Sequence, residues 1–136
     1  MAPEILFKRE YSYSSDFYSL GVIVYELVMG KRPFEGKNRT EIREEMLRRD
    51  ICLTERDLPQ GWPPSLADLI NRLLVKNQHE RLGYGGVHEI KEHKYFSEFK
   101  WRRLERKEMK PPFIPNVISE MKEYLDEISL FNHINE

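Results

Sequence analysis

The feature that most constrains the fold is an apolar segment from Phe17 to Met29, in which Glu26 is the sole charged residue. Residues 14–16, two serines and an aspartate, are of types that cap helices, and they directly precede the segment. Gly30 follows it, at the position of a C-terminal cap. Apolar side chains on every side are typical of a helix that protein surrounds, and the segment is shorter than the roughly 20 residues of a membrane span. The sequence therefore predicts a buried helix.

The remaining sequence predicts further helices and no strand. A charged segment from Thr40 to Arg49 has one thin apolar stripe and is predicted to be a surface helix. Ser65 and Asp68 resemble a capping box before an i, i+3, i+4 apolar pattern. A short helix is predicted from Val87 to His93, and the stretch from Tyr95 to Pro115 is predicted to be irregular. A last helix is predicted from four apolar residues on one helical face: Val117, Met121, Leu125 and Ile128. The predicted fold class is all-α.

Charge and cysteine content limit the expected partners and location. Twenty-two Lys and Arg against 23 Asp and Glu give a net charge of −1, so no global field attracts nucleic acid or an anionic membrane. Cys52 is the only cysteine, which excludes an internal disulfide or a Cys-based zinc site and fits a reducing compartment. We expect an intracellular, cytoplasmic protein with no membrane span and no nucleic-acid partner.

Three motifs resemble ligand sites but have the wrong pattern. His88 and His93 are five positions apart, about 140° around a helix, whereas zinc chelation from one face needs a spacing of four. The glycines of residues 83–86 lack the preceding strand and the full spacing of a phosphate loop, which favours a tight turn. Two glutamates interrupt the basic cluster of residues 100–110, which favours a solvated or internally paired face over nucleic-acid binding. We predict no metal-binding residue in this chain.

Three segments follow one another in an order and spacing that indicate a family. Residues 1–6 read Met-Ala-Pro-Glu-Ile-Leu and contain the Ala-Pro-Glu motif that ends a kinase activation segment. Residues 16–27 carry the apolar helix, with Pro33-Phe34 behind it. Arg81-Leu82-Gly83 is followed by residues 89–96 and by Pro-Phe-Ile-Pro at 112–115. Together these segments resemble the C-terminal part of the large lobe of AGC-group serine/threonine protein kinases, the group of the cyclic-nucleotide-dependent kinases.

The resemblance implies a domain division and a parent enzyme. Residues 1–96 would be the C-terminal part of a kinase domain, and residues 97–136 a partial AGC-type C-terminal extension. The parent would use Mg-ATP to phosphorylate Ser or Thr in proteins with basic residues nearby. The family's ATP-binding and catalytic motifs do not occur in this chain, and we expect them upstream of Met1. The chain alone is therefore expected to hold no cofactor and no catalytic residue, and to be an inactive scaffold and docking surface.

Individual roles follow from the same resemblance. Glu4 would form an ion pair with Arg81 that ties the activation segment to the lower lobe. Asp16 would accept hydrogen bonds from the backbone of the catalytic loop. Glu26 matches a carboxylate that faces an arginine of the substrate, and Met1 would lie on the floor of the pocket for the residue after the phosphoacceptor. The helix predicted at residues 40–49 resembles the family's docking helix for substrates and regulatory proteins.

Several alternatives stay open at this point. The chain could be a non-catalytic interaction module that uses the docking helix, or the scaffold of a pseudokinase. Glu26 could instead be a buried glutamate bonded to Tyr or backbone groups. The apolar helix also predicts that the isolated chain exposes surface which upstream helices cover in a complete lobe, and such patches promote association.

Overall fold

The computed structural model describes residues 2–8 and 10–114. Within these ranges the structure has six α-helices, two 3₁₀ turns and no strand, which confirms the all-α prediction. The helices are α1 (Pro3–Leu6), α2 (Ser14–Met29), α3 (Arg39–Arg48), α4 (Pro64–Leu73), α5 (Val87–Lys91) and α6 (Trp101–Glu105), and the 3₁₀ turns are Glu55–Asp57 and Lys94–Phe96. The chain divides into two units, Met1–Phe99 and Lys100–Glu136. Met1 and the helix predicted from Val117 onward lie outside the described residues.

Helix α2 packs closely against α4 because Gly21 leaves room for it. A Cβ atom on Gly21 would lie 2.8 Å from the Cβ of Leu73. Gly30 ends α2 in the left-handed conformation, at φ 68°, which glycine adopts without steric cost. The apolar core of the first unit includes the following residues of α2 and α4: Tyr18, Tyr25, Val28, Leu66, Leu69, Ile70 and Leu73.

The opposite side of α2 is exposed. Leu20, Ile23 and Leu27 are 39%, 55% and 79% exposed, and Asp16 at the start of the same face is exposed as well. This exposure agrees with the expectation that the chain alone exposes apolar surface on α2, whereas the other side of the helix is buried in the core. Even α2, with 16 residues, falls short of the length and hydropathy of a transmembrane helix, as do the other described helices.

Helices α3 and α4 begin differently. At α3 the Asn38 side chain accepts the Glu41 N–H at 3.0 Å, and the Glu41 carboxylate accepts the Lys37 N–H at 2.8 Å. The capping box predicted for Ser65 and Asp68 is wrong, because α4 begins at Pro64, whose fixed φ suits the first helical position. Asp68 instead contacts a histidine, as described below.

Helix α6 belongs to the second unit and corrects the prediction of an irregular stretch between residues 95 and 115. Leu, Arg and Glu in its five residues are good helix formers, a signal that the aromatic and basic composition of the region concealed. Arg103 and Arg106 each lie 3.9 Å from a carboxylate oxygen of Glu108. The basic cluster is thus partly paired within its own unit, as the sequence interpretation favoured.

Candidate functional site

Glu4 and Arg81, 77 positions apart, form a buried two-point ion pair. The two terminal nitrogens of Arg81 donate to the two carboxylate oxygens of Glu4 at 2.7 and 2.9 Å. Their side chains are 0% exposed for Arg81 and 5% exposed for Glu4. Arg81 also donates to the carbonyl of Ser14 at 2.8 Å and to that of Val75 at 3.0 Å. One guanidinium therefore connects α1, the start of α2 and the segment that follows α4.

The surroundings of the pair keep Glu4 ionised. Burial alone would raise the pKa of the Glu4 carboxyl, but hydrogen bonds from Arg81 and Ser15 lower that pKa to about 2. Ser15 contributes through its hydroxyl, which donates to Glu4 at 2.7 Å. On the other side, the Arg81 guanidinium lies 4.9 Å from the centre of the Tyr18 ring, in a cation–π contact. Both charges are thus matched inside the protein.

Glu26 lies in a different environment from the one that its apolar neighbours in the sequence indicate. Its side chain is 49% exposed, and its carboxylate lies 3.7 Å from the Nε of Arg32, which is 71% exposed. The alternative of a buried glutamate bonded to Tyr or backbone groups is therefore wrong for the described residues. Both members of this pair remain accessible to a charged partner.

Glu26 and Arg32 stand at the rim of a cleft of about 360 Å³ between α1, α2 and α3, which we call the α1–α3 cleft. Arg49 holds its outer wall, because it donates to the carbonyl of Pro33 and lies 5.3 Å from the centre of the Phe34 ring. The cleft combines an apolar interior with a charged rim, and its lining residues are Leu6, Tyr18, Val22, Glu26, Arg32, Pro33, Phe34, Arg39, Ile42 and Met46. Such a surface can hold an extended chain that carries apolar and cationic side chains.

The remaining predicted site residues do not join this cluster. Asp16 lies in the first turn of α2, on its exposed face, where a carboxylate interacts favourably with the helix N-terminus. Met1 lies outside the described residues. The structure thus brings Glu4 and Arg81 together, places Glu26 at the cleft, and leaves Asp16 on the outer face of α2.

The backbone of the glycine turn before α5 binds a carboxylate of the chain itself. The Gly83 N–H donates to the Glu89 carboxylate at 2.7 Å, and a Cβ atom on Gly85 would lie 2.3 Å from an oxygen of the same carboxylate. The Gly83 N–H is therefore already bonded to a carboxylate of the chain itself. Among residues 2–8 and 10–114, no three His, Cys, Asp or Glu side chains are grouped so that they could hold a metal ion.

Sequence reasoning missed two polar contacts that position the site. The His93 side chain is 1% exposed, its Nε2 lies 2.9 Å from the Asp68 carboxylate, and its Nδ1 accepts the Tyr95 N–H at 3.2 Å. His93 therefore caps the 3₁₀ turn of residues 94–96 and fastens it to α4. Ser15, considered only as a helix cap, bonds Glu4 instead. The sequence signal that could have predicted this cap is the position of His93 directly before a turn.

Comparison with known proteins shows the class. Residues 1–96 match the protein kinase domain family, which is more than half of the 136 residues. The chain therefore belongs to the protein kinase domain family. The boundary at residue 96 and the assignment of residues 97–136 as a C-terminal extension stay predictions.

Individual relatives narrow the class. The chain is 37% identical over 133 residues to a "Probable serine/threonine-protein kinase" of Dictyostelium discoideum, covering 98% of this chain and 27% of that protein. It is 38% identical over 117 residues to Ribosomal protein S6 kinase alpha-3 of Homo sapiens, covering 85% and 15%. It is 37% identical over 121 residues to Protein kinase C epsilon type of Rattus norvegicus, covering 86% and 16%. These matches confirm the resemblance to AGC-type kinases, and the chain spans about a quarter or less of each relative.

Proposed function

We propose that this chain is the lower part of the large lobe of an AGC-type serine/threonine kinase. The whole enzyme would transfer the γ-phosphate of Mg-ATP to Ser or Thr in intracellular proteins, next to basic residues. The 136 residues would supply the lobe scaffold and a surface on which protein substrates and regulatory proteins dock. The buried Glu4–Arg81 pair carries this proposal, because it fixes the Ala-Pro-Glu segment to the helical core.

The pair supports a docking role through α1. Leu6 at the end of α1 forms part of the α1–α3 cleft, so fixing α1 also fixes one wall of that cleft. Glu26 at the rim pairs with an exposed arginine at 3.7 Å. A substrate guanidinium could replace Arg32 there and form a stronger, two-point charge-assisted contact. In this proposal Met1 lies beside the same substrate, and Asp16 accepts hydrogen bonds from the catalytic-loop backbone.

The phosphoryl chemistry is assigned to other parts of the enzyme. Phosphoryl transfer depends on groups that hold the phosphates and metal ions and position the acceptor hydroxyl. In support, the Gly83 N–H of the glycine turn is bonded to Glu89, and among the described residues no three His, Cys, Asp or Glu side chains are grouped as metal ligands. We therefore propose that Mg-ATP serves the parent and that the chain alone is inactive.

Calorimetry of the 136-residue chain with Mg-ATP tests this assignment. We expect no saturable heat. Saturable binding at micromolar affinity would contradict the proposal, because it would require an ATP site among these residues.

The transcript upstream of the Met1 codon distinguishes the alternatives. An in-frame His-Arg-Asp and Asp-Phe-Gly would support a complete kinase. Upstream sequence without the catalytic or metal-binding Asp would favour a pseudokinase scaffold. A stable natural product that starts at Met1 would favour a separate interaction module.

A further inference from the structure

Arg32 lies at the carboxylate to which the proposed substrate arginine would bind. It follows Gly30, which ends α2 in the left-handed conformation, by two residues and directly precedes Pro33. Its Nε lies 3.7 Å from a carboxylate oxygen of Glu26. A guanidinium of the chain itself therefore pairs with the carboxylate that the proposed function gives to a guanidinium of the substrate.

We propose that Arg32 determines how strongly this site selects arginine, because a substrate guanidinium must displace Arg32 before it can bind Glu26. The proposal rests on the docking role proposed for Glu26 and names the residue of this chain that regulates it. A peptide with alanine in place of arginine leaves the Glu26–Arg32 pair intact, so Arg32 opposes only the arginine-containing peptide. Selectivity is the difference between the two affinities, and Arg32 reduces that difference.

The contact between Arg32 and Glu26 is weak enough to be displaced. Its separation of 3.7 Å exceeds the hydrogen-bond range, and both side chains are exposed, so water and salt screen their attraction. A substrate guanidinium that meets Glu26 through two parallel hydrogen bonds would form the stronger contact. The substrate then gains the difference between the two contacts, which is less than the full value of its own.

A second cleft offers the displaced side chain another carboxylate. This cleft has a volume of about 200 Å³, and Arg32 lines both it and the α1–α3 cleft. Two carboxylates line the second cleft, those of Glu35 and Glu45. Glu45 already pairs with Arg48 and Arg49, whereas Glu35 is exposed and has no ion pair among the described residues. The long side chain of Arg32 can therefore turn from Glu26 toward Glu35 and keep an anionic neighbour.

The neighbouring Lys31 separates displacement from simple charge repulsion. Lys31 is exposed and carries the same charge as Arg32, and it lines the second cleft but not the α1–α3 cleft. Lys31→Ala therefore removes one positive charge from the same loop and leaves the Glu26–Arg32 pair in place. It is the matched control for Arg32→Ala.

NMR titration of the full chain tests the proposal, with an eight-residue peptide that carries arginine upstream of serine and with its alanine-substituted counterpart. Arg32→Ala should tighten binding of the arginine peptide several-fold and leave the Kd of the alanine peptide unchanged. Lys31→Ala should leave the ratio of the two Kd values close to that of the original chain. Circular dichroism establishes that each variant is folded.

A double-mutant cycle tests whether Arg32 acts through Glu26. Glu26→Gln should abolish the preference for the arginine peptide, and Arg32→Ala should have no further effect in that background. A preference for arginine that Arg32→Ala leaves unchanged, or a gain that survives Glu26→Gln, overturns the role of Arg32 alone and leaves the docking role of Glu26 intact. No preference for arginine in either the original chain or the Arg32→Ala variant overturns both.

Discussion

The chain contains two Glu–Arg pairs that share their chemistry and differ in almost every physical property. Glu4 and Arg81 meet at 2.7 Å through two hydrogen bonds, and their side chains are 5% and 0% exposed. Glu26 and Arg32 approach to 3.7 Å, and their side chains are 49% and 71% exposed. The first pair is buried, whereas the second is open on the rim of the α1–α3 cleft.

Because of this difference, the first pair is suited to stabilising the fold and the second to binding a partner. A buried charge that loses its partner remains desolvated without compensation, so the fold depends on keeping both members of the first pair. An exposed pair gains little because water and salt screen it, so either member of the second pair can exchange its partner at small cost. The Glu4–Arg81 pair thus fixes α1, whereas the Glu26–Arg32 pair leaves a carboxylate available.

The largest expected effect is that of removing the buried guanidinium. Arg81→Ala should lower the free energy of unfolding by about 3–5 kcal/mol, because it leaves Glu4 buried without its partner. Arg81→Lys should also destabilise, since an ammonium cannot form the planar two-point contact. Urea unfolding of the chain measures both. Arg32→Ala is the matched control and should change the free energy by about 1 kcal/mol or less. Equal losses for the two alanine variants would remove the distinction between the pairs.

Acid should reveal the buried pair through the pH dependence of stability. The pKa of Glu4 is about 2 in the folded chain against 4.5 without the fold. Its contribution is present above the unfolded pKa and is lost as the pH falls from about 4.5 toward 2, by at most about 3 kcal/mol. Thermal unfolding across this range measures it. Glu4→Gln should flatten the curve there, and an unchanged slope would contradict the assignment.

The buried Glu4–Arg81 pair was predictable, whereas the sequence left the exposure of Glu26 open. The end of α2 was readable from Gly30, whose cap geometry is local, and the Glu4–Arg81 pairing followed from family resemblance. No periodicity in the chain links positions so far apart. An exposed apolar surface on α2 was expected, but which side of the helix carries it was not readable, because a sequence shows which side chains are apolar and not which elements pack on each side of a helix.

Local signals also competed with each other. Ser65 and Asp68 had the spacing of a capping box, but Pro64 already fixes the first turn of α4. Asp68 was then available to His93, a contact between two elements that neither local pattern contains. The mispredicted cap and the missed histidine contact therefore have one cause: tertiary partners decided which of two allowed hydrogen bonds the Asp68 side chain makes.

The smallest expected effect on stability is that of Glu26→Gln. Because the carboxylate is half exposed and 3.7 Å from Arg32, the free energy of unfolding should change by about 0.5 kcal/mol or less. Added salt should change the free energy of unfolding of the original and the variant chain equally, because the attraction between Glu26 and Arg32 is already weak in water. A loss comparable to that of Arg81→Ala would mean that Glu26 supports the fold and would end the contrast between the two pairs.

The same variant should have its main effect on substrates of the proposed complete kinase. If Glu26 is an available carboxylate, Glu26→Gln should raise KM for a peptide with arginine upstream of the phosphoacceptor and leave KM for the alanine-substituted peptide unchanged. ATP use should stay largely intact, because Glu26 is assigned to the protein substrate. A structural role would instead lower turnover on both peptides together with thermal stability. Equal losses on the two peptides would overturn the specificity role, whereas a loss confined to the arginine peptide, at unchanged stability, would show that the exposed pair serves recognition.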